Sequence, residues 1–368
     1  MTPNDDKISS IQLGVFIYNT ILGVGILTLP ASLAKEVEAG AWVLAILSGL
    51  VNIIFIYFMC KVGEKYSEYG FAGALRRQFG KVFGTILAIP VLVYFVVFTA
   101  IVLRIFAETI KLYLLSNTPL EFIIFPLIIL AIVLARTGVE PSARFFESVT
   151  PLIILILVFL MFVALPKSDF TNLRPVFSVS PVKYITGLKS GAFAYSGYEI
   201  LLIIFPFLRK PEKAFKVSSI ALIIITLFYT IIVMETLAKF GSRETASLIY
   251  PTVNLIKASE IPGGFIERLE GLLMALWVIF VFTTVVSTMY GASVIGGDIL
   301  NQKEKKHIVS IFLPLIYILS LTGESVVELF KMSDTLTIYL GTYTIIIVPI
   351  IMFIASLLDR KGGKKGEA

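Results

Sequence analysis

The chain alternates long apolar runs with short polar stretches. A helix that crosses a membrane needs about 20 mostly apolar residues, and the runs are close to that length or longer except for the ninth, which is short. The pattern therefore predicts an all-α polytopic membrane protein with ten transmembrane helices in a single domain, residues 1–368. The predicted spans are 10–34, 40–60, 83–114, 119–136, 147–165, 184–207, 217–239, 266–297, 308–321 and 335–358.

Two of the connecting stretches have a helical pattern of their own. The segment Tyr69–Phe79 is amphipathic and basic, which predicts a helix lying on an anionic cytoplasmic leaflet. The segment Gly241–Phe265 holds a short periodic stretch between Pro251 and Pro262, which predicts a lid helix over the outer face. For each segment the alternative is a plain connector.

Composition narrows the class of protein further. Hydrophobic residues make up 57% of the chain and charged residues 15%, a balance that excludes a soluble globular domain. The net charge is +6, but the basic residues are spread over loops rather than gathered in one patch, so nucleic-acid binding is not expected. Cys60 and His307 are single, which leaves no set for a disulfide, a metal site or a catalytic centre. We therefore expect no cofactor, no metal and no enzymatic activity.

Lysine and arginine set the expected orientation, because they favour cytoplasmic loops. With the N-terminus inside, nineteen of the 31 basic residues fall in inner loops and eleven in outer ones, and Arg104 lies within the membrane. Both termini are thus predicted to be cytoplasmic, and residues 359–368 form a basic cytoplasmic tail.

The first and sixth apolar runs are interrupted at matching depths. The interruptions are Gly23-Val24-Gly25 and Ala194-Tyr195-Ser196-Gly197. Each opens one half of the chain, 8–165 or 184–358, and each half has five predicted spans. An odd number of spans makes the second half enter from the opposite side, so the two halves form a 5+5 inverted repeat, as in secondary transporters with discontinuous helices.

Unwound backbone within a bilayer must find hydrogen-bond partners, and a bound polar ligand can supply them. Free amides at a helix N-terminus suit a carboxylate, and free carbonyls suit an ammonium group or a cation. A zwitterionic amino acid satisfies both requirements. The alternative is that these glycines only allow helices to pack closely, but two breaks at equivalent depths favour a binding site.

The motifs at the breaks resemble those of the amino acid/polyamine/organocation transporter superfamily. They read Gly23-Val24-Gly25-Ile26 and Phe193-Ala194-Tyr195-Ser196-Gly197-Tyr198-Glu199. A closer similarity, over nearly the whole chain, is to the B subunit of spore germinant receptors, the GerAB family of endospore germination permeases. It rests on Asn19 to Gly25 with Leu29-Pro30, Arg104 to Glu108, Asn172 to Val176, Tyr250-Pro251-Thr252, and Phe265 to Glu270 followed by Trp277 and Phe282-Thr283-Thr284.

This resemblance implies a LeuT-like bundle with discontinuous helices 1 and 6. It also implies recognition of a small germinant, typically an amino acid, together with receptor A and C subunits in the spore inner membrane. The alternative function is a proton- or sodium-coupled amino acid permease in the cell membrane.

The candidate ligand-binding residues surround the two breaks. Glu199 has a carboxyl group at membrane depth, which favours a role in binding an ammonium group or in proton coupling. The alternative is a structural hydrogen bond that holds the broken helix. The predicted ligand-binding residues are Thr20, Gly23, Val24, Gly25, Tyr94, Phe98, Tyr195, Ser196, Gly197, Tyr198 and Glu199.

Two further groups of residues have possible roles. By analogy with LeuT-like proteins, the hydroxyls of Thr283 and Thr284 and the carbonyls of Asn19 and Leu22 form a possible ion site. The alternative is that the hydroxyls bond to their own helix. Arg104 and Glu108, four residues apart, are either a structural pair or part of an outer gate. A gate of this kind would also include Glu267 and Arg268.

Overall fold

The regular structure of this chain is helical. The computed structural model describes residues 6–23, 25–259, 269–302, 304–323 and 326–359. Its α-helices are α1 (Ser10–Ile21), α2 (Gly25–Val37), α3 (Ala41–Tyr66), α4 (Gly70–Phe79), α5 (Lys81–Tyr113), α6 (Leu120–Thr137), α7 (Val139–Ala164), α8 (Pro181–Tyr195), α9 (Leu201–Ile204), α10 (Ala214–Ser247), α11 (Pro251–Lys257), α12 (Leu269–Ile299), α13 (Val309–Ser320), α14 (Val326–Leu336) and α15 (Val348–Leu358). Shorter 3₁₀ turns are Glu38–Gly40, Phe170–Leu173, Tyr198–Ile200, Phe205–Phe207, Pro211–Lys213 and Lys305–His307, and π-helical turns are Thr337–Gly341 and Tyr343–Ile347.

Each of the ten predicted runs contains helix. In the part of the chain that the structure describes, seven segments are long and apolar enough to cross a membrane, and Tyr198–Phe207 and Val309–Ser320 are shorter apolar helices. The first run comprises α1 and α2, and the sixth comprises α8 followed by the helical turns from Tyr198 to Phe207. The chain is thus a multi-pass membrane protein, and both predicted interruptions are real breaks in helices.

Two helices begin well before their apolar runs. Helix α7 begins at Val139 rather than at 147, and α14 begins at Val326 rather than at 335. Hydropathy marks the part of a helix that suits hydrocarbon, whereas hydrogen bonding can continue the helix into polar sequence. The polar first turns of α7 include Glu140 and Arg144, which form an ion pair of 2.5 Å.

Helices α12 and α5 form the centre of the bundle. Buried residues make up 72% of the most apolar stretch of α12 and 61% of that of α5, against 28% for α7. The peripheral helices leave large apolar side chains such as Phe122 and Phe162 exposed, as expected for a surface that faces lipid. The most buried helix, α12, also contacts both broken spans, at α1 and at the turn Tyr198–Ile200.

The N-terminal segment closes one end of the bundle, which we call the inner end because α1 begins there. Helix α1 begins with a capping box in which Ser9 and Gln12 each bond the backbone of the other. Just before it, the Ile8 amide donates to the Phe207 carbonyl (2.8 Å), and the Arg209 amide donates to the Ile8 carbonyl (3.1 Å). Lys7 Nζ donates to the Pro206 carbonyl (2.7 Å). These bonds join the start of the first span to the end of the sixth.

The predicted amphipathic helix is confirmed as α4, and its position follows from its two faces. Phe71 and Leu75 are buried against the bundle. Arg76 caps the end of α12: its guanidinium donates to the carbonyls of Asp298 (3.0 Å) and Ile299 (2.9 Å). The helix thus lies across the inner end, and its contact with an anionic leaflet stays a prediction.

The predicted lid segment also contains a helix, α11. It packs on α2 and α12, and the Thr252 hydroxyl donates to the Ile26 carbonyl near the start of α2 (2.7 Å). The rest of that segment, from residue 260, lies outside the described residues.

Arg76→Ala should destabilise the protein, because it leaves carbonyls at the end of α12 without their charged donor. We expect the free energy of unfolding to fall by about 2 kcal/mol, measured by thermal or denaturant unfolding in detergent. The control is Arg77→Ala on the same helix, since the exposed Arg77 stacks on the Tyr69 ring, 4.8 Å from its centroid. Equal stability of the two variants would contradict the capping role.

Candidate functional site

The two broken helices meet at their breaks. A Cβ atom built on Gly25 would lie 2.4 Å from Ala194 Cα, and one built on Gly197 would lie 2.8 Å from the Thr20 carbonyl oxygen. Both distances are too short for a real side chain, so each glycine gives room to the backbone of the other break. Close packing, the alternative interpretation of the glycines, therefore describes both contacts. Ligand binding at the breaks stays a prediction.

Gly197 also has a backbone conformation that favours glycine. Its φ is +127°, a region in which a Cβ atom clashes with the backbone. The residue lies between the end of α8 and the turn that begins at Tyr198. The sequence of the break thus determines where the sixth span changes direction.

Side chains of other helices bond the carbonyls that the breaks leave free. The Tyr229 hydroxyl donates to the Ala194 carbonyl (2.9 Å) and lies 3.3 Å from that of Ile21. The Trp277 indole donates to the Gly23 carbonyl (2.9 Å). The sequence predicts that a bound ligand performs this task, whereas in the structure side chains of α10 and α12 perform it.

Glu199 folds back on the break that precedes it. Its side chain is completely buried. Oε1 accepts a hydrogen bond from the Tyr94 hydroxyl and Oε2 accepts one from the Gly197 amide, each at 2.6 Å. This geometry matches the structural alternative, in which the carboxyl group holds the broken helix. A role toward a ligand or a proton stays a prediction.

The tyrosines of the sixth span bond to α3. The Tyr195 hydroxyl donates to the Ala45 carbonyl (2.8 Å), and the Tyr198 hydroxyl donates to Asn52 Oδ1 (2.5 Å). Ser196 donates to its own helix, at the Ala192 carbonyl (3.0 Å). These polar groups therefore anchor the break to its surroundings.

The remaining predicted ligand-binding residues lie on α1 and α5. The Thr20 hydroxyl lies 2.7 Å from the Phe16 carbonyl and 2.8 Å from the Ser287 hydroxyl. The rings of Tyr94 and Phe98 pack with their centroids 5.6 Å apart. Val24 lies outside the described residues.

The possible ion site gathers several oxygens beside α12. The Thr283 hydroxyl lies 3.2 Å from the Asn19 carbonyl, and the Thr284 hydroxyl lies 3.4 Å from it and 3.0 Å from the Thr20 carbonyl. Both hydroxyls also lie within 3.0 Å of the carbonyl of Phe280 in their own helix. Since a hydroxyl has one proton, each bonds one of these carbonyls at a time, and both interpretations of the threonines fit the geometry.

Leu22 and Asn19 complete this region. Leu22 is buried and its amide caps α1 at the Tyr18 carbonyl (3.3 Å). The Asn19 amide nitrogen donates to the Thr150 hydroxyl on α7 (2.7 Å). Its Oδ1 is buried and has no hydrogen-bond partner among the described residues. Carbonyl, hydroxyl and amide oxygens are ligands that hard cations prefer.

Arg104 ties α5 to the end of α13. Its side chain bonds Glu108 at 3.1 Å and donates to the carbonyls of Leu321 (3.0 Å) and Gly323 (2.7 Å). The side chain is 7% exposed, so these contacts stabilise a buried charge. They match the structural alternative. Glu267 and Arg268, the other residues of the predicted gate, lie outside the described residues.

Sequence reasoning missed a cavity of about 630 Å³ at the outer end. Its walls come from α2, α8, α14 and residues 247–249, and it reaches Ala194 at the break in the sixth span. None of the described residues in the predicted ligand set lines it, and the cavity reaches the break only at Ala194. The charged residues that line it are Lys35, Glu36, Lys189, Lys331 and Asp334.

A signal for this cavity is present in the sequence. Lys35 stands ten residues after Gly25, and Lys189 stands eight residues before Gly197. Charges at similar distances from two breaks in apolar helices point to a shared polar space.

Comparison with known proteins places the chain in a family. The family model described as "Spore germination protein" matches residues 7–328. The chain belongs to this family. Among its members, spore germination protein YndE of Bacillus subtilis is 27% identical, over 97% of this chain and 98% of the relative. Spore germination protein A2 of the same organism is 28% identical, over 96% of this chain and 97% of the relative.

Two solved transporter structures share the fold of this spore germination protein. A Na⁺-coupled sialic acid symporter superposes with a TM-score of 0.68 at 13% identity, covering 97% of this chain and 85% of the symporter. MhsT in complex with L-phenylalanine superposes with a TM-score of 0.65 at 14% identity, covering 96% of this chain and 89% of MhsT. The predicted LeuT-like fold is thus confirmed. The repeat boundaries 8–165 and 184–358 stay a prediction.

Gly197→Ala should destabilise the protein, because the new Cβ meets the Thr20 carbonyl and the backbone stays at a positive φ. A strained residue of this kind costs about 1–3 kcal/mol, which unfolding in detergent will measure. Gly271→Ala on α12 is the matched control, since a Cβ there has no described atom within 4 Å. If both variants unfold like the parent protein, the breaks do not pack as described.

Proposed function

We propose that this chain is the membrane-embedded, ligand-recognising B subunit of a spore germinant receptor. It binds a small germinant, an amino acid, between the broken helices and so triggers germination. The observation that carries this proposal is the outer cavity, which reaches Ala194 at the break in the sixth span, the residue that Gly25 of the other break approaches. Family membership supports the role in germination.

Binding proceeds by exchange of hydrogen bonds. Tyr229 and Trp277 now bond the carbonyls of Ala194 and Gly23, and an ammonium group that enters the break replaces these donors. The ligand carboxylate accepts from backbone amides at the start of α2, where the helix dipole favours negative charge. Because the breaks are now in contact, a ligand binds only when α2 and α8 separate, and it thereby stabilises the separated state.

The proposed setting follows from the family. The relatives are spore germination proteins by name, and the resemblance to receptor B subunits implies A and C subunits as partners in the spore inner membrane. With both termini cytoplasmic, the inner end that Ile8 and Phe207 close faces the cytoplasm, and the cavity opens on the other side.

Gly25→Ala tests the site. Its Cβ would stand 2.4 Å from Ala194 Cα, so the breaks must shift and the binding geometry is lost. Calorimetric titration of the purified full chain with a panel of L-amino acids should find a ligand for the parent protein. The variant should bind that ligand at least about tenfold more weakly, a difference of roughly 1.4 kcal/mol.

Two controls keep this test decisive. Gly271→Ala should bind like the parent protein, and the helical circular dichroism of Gly25→Ala should show that it is folded. Unchanged affinity in Gly25→Ala, or no amino acid binding by the parent protein, would contradict the proposal.

A sodium-coupled amino acid permease is the second candidate. The oxygens of Thr283, Thr284, Asn19 and Thr20 favour it, as does the fold shared with a Na⁺-coupled symporter. A permease reconstituted alone in liposomes should concentrate a labelled amino acid when a sodium gradient is imposed. Thr284→Val should abolish this uptake, and Thr288→Val, one turn along α12, should retain it. Absence of concentrative uptake favours the receptor.

A further inference from the structure

The outer cavity has an excess of positive charge. Three lysines line it from three separate helices: Lys35 from α2, Lys189 from α8 and Lys331 from α14. Among the described residues, two carboxylates, Glu36 and Asp334, line the same cavity. The charge of the walls is therefore +1, and it is distributed around the space rather than on one helix.

The two carboxylates already have partners. Glu36 Oε1 accepts a hydrogen bond from the Ser190 hydroxyl at 2.6 Å, which ties α2 to α8. Asp334 interacts electrostatically with Lys35. Lys189 and Lys331 form no salt bridge with any residue that the structure describes. These two ammonium groups are the ones available to a ligand.

Ser333 adds a hydroxyl group without a hydrogen-bond partner among the described residues to the wall of the cavity that α14 forms. Its side chain is 1% exposed, and its Oγ has no hydrogen-bond partner among the described residues. A buried hydroxyl without a partner costs free energy unless something bonds it. Ser333 lines the cavity on the same helix as Lys331, so a ligand in the cavity can supply the missing partner.

The size and field of the cavity agree with a small ligand. About 630 Å³ lies within the usual range of about 300–1,000 Å³ for small-molecule sites. A cleft with low-dielectric walls focuses the field of the charges that line it. An anion is thus attracted, whereas a cationic molecule is repelled.

We propose that the outer cavity binds a small carboxylate with a net negative charge through Lys189 and Lys331, and that it selects an acidic amino acid. This selection rests on the proposed function, because the cavity leads to the breaks at Ala194. The side-chain carboxylate of an acidic amino acid, which a neutral amino acid lacks, binds the two lysines and the Ser333 hydroxyl.

L-glutamate and L-glutamine make the test, because they have nearly the same shape and differ in charge. Calorimetric titration of the purified full chain at low ionic strength should give an affinity for glutamate about tenfold or more above that for glutamine, as expected of a charge-assisted hydrogen bond. Lys189→Gln and Lys331→Gln should each lower the glutamate affinity toward the glutamine value. Lys189→Arg should retain the preference.

Lys183→Gln is the matched control, since Lys183 is an exposed residue of α8 outside the cavity. It should bind both amino acids like the parent protein. Equal affinities for glutamate and glutamine, or an unchanged preference in both lysine variants, would overturn the charge selection. If neutral amino acids still bind and Gly25→Ala weakens that binding, the proposed function stands although the charge selection is overturned. No binding of any amino acid would overturn both the charge selection and the proposed function.

Discussion

Every backbone polar group within a membrane needs a partner, and a span that loses its helical hydrogen bonds must find one elsewhere. This protein interrupts two spans at the same place and resolves the problem locally. The glycines bring the two breaks into contact, and Tyr229 and Trp277 donate to carbonyls of the breaks. The central position of α12 follows, since it contributes the indole to the first break and buries most of its surface.

The two ends of the bundle differ in how their polar groups are arranged. At the inner end, the backbone bonds of Ile8 and the guanidinium of Arg76 join the N-terminal segment, the sixth span, α4 and α12. At the outer end, a charged cavity is lined by α2, α8 and α14, and the Ser190 hydroxyl bonds Glu36 between α2 and α8.

Individual residues show how far sequence reasoning reached. The breaks, the helix α4 and the helix α11 all followed from local pattern, because glycine, proline and amphipathic spacing act within a few residues. Glu199 and Arg104 were recognised as unusual, since charge is costly in a membrane. Their partners, Tyr94 and the Leu321 and Gly323 carbonyls, come from other helices. No sequence spacing shows which helix will approach them.

The sequence by itself determined the membrane class, the approximate spans, the two interruptions and the resemblance to spore germination permeases. These depend on hydrophobicity and on residue types with strong local preferences. Only the tertiary structure decided that Tyr229, Trp277 and Glu199 bond the backbone at the breaks, and that Lys189 and Lys331 share a cavity. The physical reason is that hydrogen bonds and charges act over a few ångströms in space, and the packing of distant helices sets those distances.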